Sequence, residues 1–431
     1  MLKRWLFVIG SGLLAASIWV WVQDITISHQ ETEARQRGIP RGNLSDLYPR
    51  WLGSRELLLQ GRDPYGSDIT REIQNGYYGR PIDPTRPNDP KDQQAFAYPL
   101  YVVWILAPSV KLPFPIVQRA FLWLLVAITA SSIWLWLAVL RWRVSFSSRV
   151  IWTILVLGCF PAIQGFKLQQ LTLLVAALLA ASMACLVQRR FVLAGILLAL
   201  ASIKPQLLAL IGIWLMIWII GNWRERQRLF WSSAASLIIL VIASEWLLPG
   251  WIHEFRASMS AYYQYTGGGR SVLDVALTPI LGRIFSGMLV ALLVIYLWRM
   301  RVEAEQSAAF QWSLGTVLAT TLVVIPMFAP YNQVLLIPCV MLVLKQIRRL
   351  WKANRLSRFL AVITVAALAW PWAAALGLTI AWLFLPASSV QRAWAVPIGT
   401  TLMIPVSLMV LMFVGRSALV PSSSTSQQHD G

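Results

Sequence analysis

Long apolar runs alternate with short polar or basic stretches along the 431 residues of the chain. The apolar runs are about 17 to 25 residues long, the length that a helix needs to cross the roughly 30 Å hydrocarbon layer of a bilayer. Uninterrupted runs such as Leu171 to Val187 do not alternate as the strands of a membrane barrel would. The pattern therefore predicts an all-α, polytopic integral membrane protein.

Composition and charge agree with a chain that is solvated mainly by lipid. Hydrophobic residues make up 57% of it and charged residues only 13%, a balance that would not keep a water-soluble domain of this length dispersed. The net charge of +19 does not indicate nucleic-acid binding, because the basic residues cluster in short loops at the ends of the apolar runs. We therefore expect no nucleic-acid partner.

The basic clusters set the predicted topology. Placing all of them in the cytoplasm, as the positive-inside rule requires, gives a first transmembrane helix over residues 1–23 and about eleven further crossings. These lie near 114–140, 150–164, 168–187, 190–203, 205–222, 229–248, 283–299, 311–328, 332–346, 359–385 and 393–415. The segment 97–112 is short and ends near prolines, so it is either re-entrant or a further crossing. The total is about twelve to thirteen transmembrane helices.

The same topology divides the chain and gathers its polar stretches on the outer side. The predicted regions are the first helix (1–23), an extracytoplasmic loop (24–96), a core bundle (97–346) with an outer loop (249–271), C-terminal helices (347–415) and a disordered tail (416–431). The other outer stretches are 164–170, 203–206 and 330–333. The first loop holds 11 of the 18 acidic residues and is too long for a simple connection, so we expect it to fold.

Local signals within the first loop predict two helices. Ser45 has the character of an N-cap and Gly61 of a C-terminal stop for a helix along the membrane surface. A second amphipathic helix is predicted from Asp68 to Tyr78, followed by a proline-rich loop over 80–91.

Asp46 occupies the first predicted helical position after Ser45. One interpretation is that its carboxylate complements the helix dipole. The other is that it acts as a general base, which takes the proton of an attacking hydroxyl in a partly dehydrated site. The sequence by itself favours the dipole interpretation, because a single aspartate is a weak signal.

Lys204 and Pro205 interrupt an otherwise apolar stretch at its outer end. A buried ammonium needs a partner, and a phosphate is one such partner; the alternative is a lysine that reaches the interface from a helix end. Lys167 and Arg270 present the same choice, with the structural interpretation favoured.

Evidence for a metal or a structural disulfide is weak. Glu245 lies just before the outer loop 249–271 and His253 and Glu254 lie near its start, but two acids and a histidine are few ligands for a divalent cation. The three cysteines lie inside apolar segments and form no loop disulfide pattern. We predict no metal site and no cofactor, and a divalent-cation requirement is only weakly supported.

Several short motifs resemble those of glycosyltransferase family 87, a group of polytopic GT-C-type enzymes. In the first loop these are Ser45 to Tyr48, Gly61 to Tyr65 and Phe96 to Pro99. Further on, Gln169 to Leu174 is similar to the glycine-glutamine-x-asparagine-leucine element of the family, and Lys204 with Pro205 to its lysine-proline element. The resemblance covers roughly residues 1–340 and depends on the order and spacing of the motifs.

The resemblance implies a function and roles for named residues. It implies transfer of a sugar, mannose in many members, from a polyprenyl-phosphate donor to a glycolipid or glycan acceptor, with inversion, on the extracytoplasmic side of a bacterial inner membrane. Asp46 would be the base, Lys204 and Arg270 would bind the donor phosphate, and the remaining positions would contact substrate: Tyr98, Gln169, Gln170, Tyr331 and Asn332.

The sequence also departs from the family at three places. Leu100 follows Pro99 where the family often has a second proline, and Thr172 replaces the asparagine of the glutamine element. The late outer element, Pro330 to Gln333, lacks the histidine or acid often found there; its residues can hydrogen-bond a sugar but cannot act as acid or base.

Two other classes of function fit a polytopic basic protein. A transporter or flippase of lipid-linked sugars would show broken helices and midplane charges in two related halves, and the sequence shows no convincing repeat. A non-catalytic envelope assembly protein would use the outer loop as a docking surface.

Overall fold

The computed structural model describes residues 2–83, 85–265 and 268–416. Within these ranges all regular secondary structure is helical, which confirms the all-α prediction. Of the predicted disordered tail, residues 417–431 lie outside the described part of the chain.

The first helix is longer than the sequence predicted. Helix α1 (Leu2–Val20) continues through a π-helical segment (Trp21–Ile27) into α2 (Ser28–Arg37), whereas the predicted crossing ended at residue 23. The polar extension carries ion pairs one turn apart, Arg37 to Glu33 at 3.0 Å among them, and such pairs support an exposed helix. Gly38, with φ of 64°, ends it.

The first loop contains both predicted helices, α3 (Tyr48–Gln60) and α4 (Ser67–Tyr78). Helix α3 ends at Gly61, where φ is 66°, as the stop signal predicted. It begins at Tyr48 rather than directly after Ser45. The predicted loop over 80–91 has no helix at its described positions.

The segment that was difficult to place, 97–112, does not form a full crossing. It holds α5 (Val102–Leu106) and a 3-10 turn (Ala107–Ser109). Five helical residues rise only about 8 Å. The residues of α5 are mostly buried, so this non-spanning backbone is packed against protein, as membrane depth requires.

The remaining helices form the bundle. The first part comprises α6 (Phe114–Val139), α7 (Phe146–Gly158), α8 (Phe160–Leu168), α9 (Thr172–Val187), α10 (Phe191–Ala201), α11 (Pro205–Gly221), α12 (Trp223–Leu247) and α13 (Trp251–Tyr265). The second comprises α14 (Val272–Ala276), α15 (Pro279–Arg299), α16 (Ala308–Val324), a 3-10 segment (Pro330–Leu336), α17 (Ile337–Ala353), α18 (Arg355–Phe384), α19 (Ala387–Gln391), a 3-10 turn (Val396–Thr400) and α20 (Met403–Gly415).

The apolar helices fall into two groups by length, those long enough to span a bilayer and those that are shorter. In the described residues, six stretches are long and apolar enough to span a bilayer, and α7 with α8, bent by 56°, makes a possible seventh. The predicted crossing 150–164 falls across that bend. Helices α9, α10, α11 and α16 are apolar but shorter. The predicted total of twelve to thirteen is therefore reached only if such short helices also cross.

The basic loops meet at one end of the bundle. Arg189 lies 2.5 Å from Glu225 and 3.1 Å from Glu305, and Arg226 donates to the carbonyl of Arg301 at 2.7 Å. The ammonium of Lys345 likewise donates to the carbonyl of Leu140. These contacts agree with the assignment of the basic clusters to a single side of the membrane.

Burial distinguishes lipid-facing from central helices. Helices α12 and α15 expose large side chains such as Ile239 and Ile280, as expected where lipid is the neighbour. Helix α16 is almost wholly buried, and the hydroxyls of Thr316, Thr320 and Thr321 donate to carbonyls four residues earlier. These three buried hydroxyls are thus satisfied by the backbone of their own helix.

Candidate active site

The five polar stretches predicted to be outer come together at the end opposite the basic loops. The amide of Asp46 donates to the carbonyl of Leu168 at 2.8 Å, and the hydroxyl of Tyr265 donates to the carbonyl of Pro90 at 3.5 Å. The amide of Phe328 donates to the carbonyl of Arg270 at 3.2 Å. The first loop therefore packs directly on the polar ends of later helices.

Ser45 fixes the approach of this loop to the bundle. Its buried hydroxyl donates to Oε1 of Gln169 and accepts from the amide of Leu47 at 3.3 Å. The hydroxyl therefore serves mainly a tertiary contact rather than the helix cap predicted from sequence. Asp46 lies in the turn directly before Leu47, the N-cap of α3, and not at a first helical position as predicted.

The carboxylate of Asp46 has two hydrogen-bond donors. The hydroxyl of Tyr77 donates to Oδ1 at 3.0 Å, and Nε2 of Gln170 donates to Oδ2. Burial raises the pKa of Asp46, and the nearby charge of Arg50 opposes that rise. A carboxyl group with a raised pKa is a stronger base than an ordinary aspartate once it is deprotonated.

Lys204 is buried directly before the proline that begins α11. Its ammonium donates to Oε1 of Gln170 and to Oγ1 of Thr172, each at 2.7 Å. An ammonium can only donate hydrogen bonds, so the amide oxygen of Gln170 must face Lys204 and its NH2 group must face Asp46. One glutamine side chain thus joins the acid to the cation.

The chain of hydrogen bonds continues beyond Lys204. Oγ1 of Thr172 and Oδ1 of Asn332 are 3.0 Å apart, and the ring of Tyr331 lies 5.3 Å from the ammonium of Lys204. We call the connected residues the Asp46–Lys204 network; it consists of Asp46, Tyr77, Gln170, Thr172, Lys204 and Asn332. The threonine that departs from the family motif contributes a hydroxyl to this network.

Gln169 has a different role from its neighbour. It ends α8 in the left-handed conformation, with φ of 52°. Its amide oxygen accepts from Ser45, and its Nε2 donates to the carbonyl of Gln118 at 2.7 Å. Both ends of the side chain are engaged in holding the loop and bundle together.

Tyr98 lies beside both cations of the site. The guanidinium carbon of Arg50 is 4.4 Å from its ring centroid, and the ammonium of Lys204 is 5.7 Å away. Its carbonyl accepts from the hydroxyl of Tyr65 at 2.8 Å, which fixes the backbone beneath the ring. A ring positioned in this way can attract cations through its face.

Arg270 does not join this group of residues. Its side chain is exposed, and it lines a separate cleft of about 850 Å³. We call this the Arg270 cleft; its charged lining residues are Asp83, Arg86, Asp89, Lys91 and Arg270. The contacts of the described residues link Tyr98, Gln170, Tyr331 and Asn332 with Lys204, but not Arg270.

Two of the weakly supported metal-ligand candidates, Glu245 and His253, have protein partners. Oε1 of Glu245 accepts from the amide of Gly250 at 2.7 Å, and His253 is paired with its neighbour Glu254 at 3.4 Å. In the described part of the chain no three His, Cys, Asp or Glu side chains are grouped as possible metal ligands. That the reaction needs no metal stays a prediction, and a divalent-cation requirement stays only weakly supported.

Sequence reasoning missed two residues next to the base. Tyr77 comes from α4, more than thirty positions along the chain, and no local signal connects it with Asp46. Arg50 had a signal, since it follows Asp46 by four residues, a spacing that lets a side chain reach back one turn. It does so, donating through Nη1 to the carbonyl of Asp46 at 2.8 Å.

Comparison with known proteins gives one match. No curated protein and no solved structure matches the chain. The family model for glycosyltransferase family 87 matches residues 96–326, a segment that includes Tyr98, Gln170 and Lys204 and begins after Asp46. Because this segment is more than half of the chain, the protein belongs to glycosyltransferase family 87, whose activity requires a sugar donor and an acceptor.

Proposed function

We propose that the protein transfers a sugar from a polyprenyl-phosphate donor to an extracytoplasmic acceptor, with inversion at the sugar carbon and Asp46 as general base. The observation that carries the proposal is the placement of a basic carboxylate and a buried ammonium on the two ends of one glutamine amide. Inverting transfer needs both groups, a base for the acceptor and a cation for the leaving phosphate.

The reaction follows from these two groups. An acceptor hydroxyl loses its proton to Asp46 while its oxygen forms a bond to the anomeric carbon. The bond from that carbon to the phosphate oxygen breaks, and the lipid phosphate leaves with the electron pair. Lys204 stabilises the charge that develops on the phosphate, in a site where low dielectric strengthens the attraction.

The depth of the site supports a lipid-linked donor. Gln170 and Thr172 lie at the start of α9 and Lys204 lies between α10 and α11, helices of 11 to 17 residues. These helices rise about 16–26 Å, less than the roughly 30 Å hydrocarbon thickness. Since their other ends carry the basic loops, we infer a network below the extracytoplasmic surface of the membrane, where the phosphate of a lipid can reach it.

The identity of the substrates follows from the resemblance alone. Mannose is the proposed sugar, and a glycolipid or glycan of the cell envelope is the proposed acceptor. The proposed location is a bacterial inner membrane with the site on the extracytoplasmic side. We assign no metal and no other cofactor to the reaction.

Substitution of the base tests the proposal. Purified protein in lipid nanodiscs would be incubated with a panel of polyprenyl-phosphate sugars and envelope lipids. Asp46→Asn keeps the shape of the side chain but cannot accept the proton, so we expect transfer to fall by about 10²–10⁴-fold. The control is Asp68→Asn, which removes an exposed carboxylate of the same loop that pairs with Arg62 and should leave transfer nearly unchanged.

The same experiment separates the competing functions. Full transfer by Asp46→Asn, with unfolding temperature unchanged, would remove Asp46 as the base. Movement of a lipid-linked sugar across the bilayer without transfer would instead identify a flippase. Absence of transfer in the wild-type protein with every donor and acceptor of the panel would favour an assembly role.

A further inference from the structure

Arg50 is a second cation at the site whose hydrogen-bonding capacity is largely unused. It lies in the first turn of α3, and one terminal nitrogen, Nη1, donates to the carbonyl of Asp46 at 2.8 Å. Its Nε is buried and has no hydrogen-bond partner. Among the described residues no carboxylate forms an ion pair with it.

Leaving such a group unpaired is costly for folding. A buried guanidinium loses hydration and normally recovers that loss through a charged partner and several hydrogen bonds. Here the guanidinium has one hydrogen bond to a carbonyl and the face of Tyr98 at 4.4 Å, and the charge of Asp46 lies nearby without forming an ion pair. The remaining donors are therefore available for a ligand that carries negative charge.

The geometry around Tyr98 indicates where that ligand binds. The ring of Tyr98 is approached by the guanidinium of Arg50 and by the ammonium of Lys204. Lys204 already donates two of its three protons to Gln170 and Thr172, so it can offer one more. A small tetrahedral anion held next to this ring would be shared by a forked donor and a point charge.

Two other cations at this end of the molecule, Lys167 and Arg270, are less suitable for binding an anion beside Tyr98. Lys167 donates to Oε1 of Gln23 and lies over the ring of Trp19, away from the base. Arg270 lies in the Arg270 cleft, and its contacts among the described residues do not include Asp46, Lys204 or Tyr98.

We infer that Arg50, together with Lys204, binds the phosphate of the polyprenyl-phosphate donor, with the ring of Tyr98 alongside. This rests on the proposed function and deepens it by naming a residue that contacts the leaving group. Arg50 and the phosphate exchange no proton. The guanidinium binds the phosphate oxygens before transfer and continues to hold them as negative charge accumulates.

The test measures binding of polyprenyl monophosphate, the donor without its sugar, to the purified full chain in nanodiscs. Arg50→Gln should weaken binding at least about tenfold, since two charge-assisted hydrogen bonds are lost. Arg50→Lys keeps the charge but not the fork, and should weaken it about three- to tenfold. The uncharged alcohol, polyprenol, should bind every variant equally.

A matched arginine on the same helix provides the control. Arg55 lies five residues after Arg50, and its guanidinium lies over the ring of Trp51 at 5.4 Å. Arg55→Gln should therefore leave the phosphate affinity unchanged. Phosphate binding within twofold of wild type for both Arg50→Gln and Arg50→Lys would overturn the inference. Equal weakening for phosphate and alcohol would also overturn it, because it would show a role in packing alone.

The phosphate-binding measurement tests Arg50 independently of catalysis. If Arg50→Gln does not fold, Arg50→Lys decides the inference through the ratio of its affinities for phosphate and alcohol. Normal phosphate binding by Asp46→Asn with normal transfer would refute the proposed base but leave the phosphate site intact. Loss of transfer in Asp46→Asn with unchanged phosphate binding by the Arg50 variants would support the proposed base and refute the phosphate site at Arg50.

Discussion

The Asp46–Lys204 network and the Arg270 cleft are both charged and lie at the same end of the molecule, yet they use their charges differently. At the cleft, arginines pair directly with the lining aspartates: Arg80, which is not itself a lining residue, lies 2.5 Å from Asp89, and Arg86 lies 3.4 Å from Asp83. In the network, Asp46 and Lys204 do not touch, because the amide of Gln170 separates them.

The consequence is visible in two aspartates of one loop. Hydrogen bonds from Arg80 lower the pKa of Asp89 to about 2, which makes it a permanent anion with little tendency to accept a proton. Burial instead raises the pKa of Asp46. A direct ion pair would have neutralised both reagents of the network, so the intervening amide keeps the base basic and the cation available.

Removal of the network's cation should have the largest effect of the remaining tests. Lys204→Met preserves the length of the side chain but removes its charge and the two hydrogen bonds to Gln170 and Thr172. We expect kcat/KM for transfer to fall by about 10²–10³-fold, the usual cost of removing one group that stabilises developing charge. Steady-state kinetics with the best donor of the panel would measure it.

The matched control is Lys167→Met at the end of α8. This lysine contacts Gln23 and the ring of Trp19 and takes no part in the network, so transfer should change less than about threefold. Equal losses in the two variants would mean that the loss is not specific to the network and that Lys204 has no special role.

The next effect concerns pH. Transfer needs the deprotonated carboxylate, so kcat/KM should decline as pH falls through the raised pKa of Asp46, at a pH above the ordinary aspartate value of 3.8. The bond from Tyr77 favours the charged form, and Tyr77→Phe should move the decline upward by about one pH unit. The plateau rate at higher pH should be nearly unchanged.

Tyr78→Phe is the control for that profile. The hydroxyl of Tyr78 donates to the carbonyl of Asp92 rather than to Asp46, so its removal should leave the acid limb in place. A profile of Tyr77→Phe that coincides with the wild-type profile would show that another group governs the decline.

The smallest effect is expected in the cleft. Arg270→Gln removes an exposed charge that the described contacts do not join to the network, and kcat/KM should change by less than about threefold. A loss as large as that of Lys204→Met would show that the donor phosphate extends into the Arg270 cleft, as the family resemblance first implied.

The sequence was a good guide wherever a signal was local. The apolar runs predicted helices, Gly61 marked the end of α3, and the segment from Asp68 to Tyr78 became α4 almost as predicted. The positive-inside pattern also predicted that the first loop and Lys204 would meet at one end, and the contacts through Gln170 confirm it.

The features that the sequence did not predict depend on tertiary partners. Ser45 is a residue type that often caps helices, but its hydroxyl donates a hydrogen bond to Gln169 instead. Tyr77 reaches Asp46 only because α4 folds back on the loop. The number of crossings could not be settled from apolar length, since runs such as Phe191–Ala201 form short apolar helices that the sequence pattern does not distinguish from spans.

Two adjacent glutamines at the end of α8 point their amides to different partners. Because Gln169 adopts φ of 52°, the chain reverses there, and the first amide anchors Ser45 while the second lies between Asp46 and Lys204. The two assignments are set by order along the chain. Insertion of a single residue at this turn would displace both amides from their partners, so the site constrains the length of the chain here as well as the identity of the side chains.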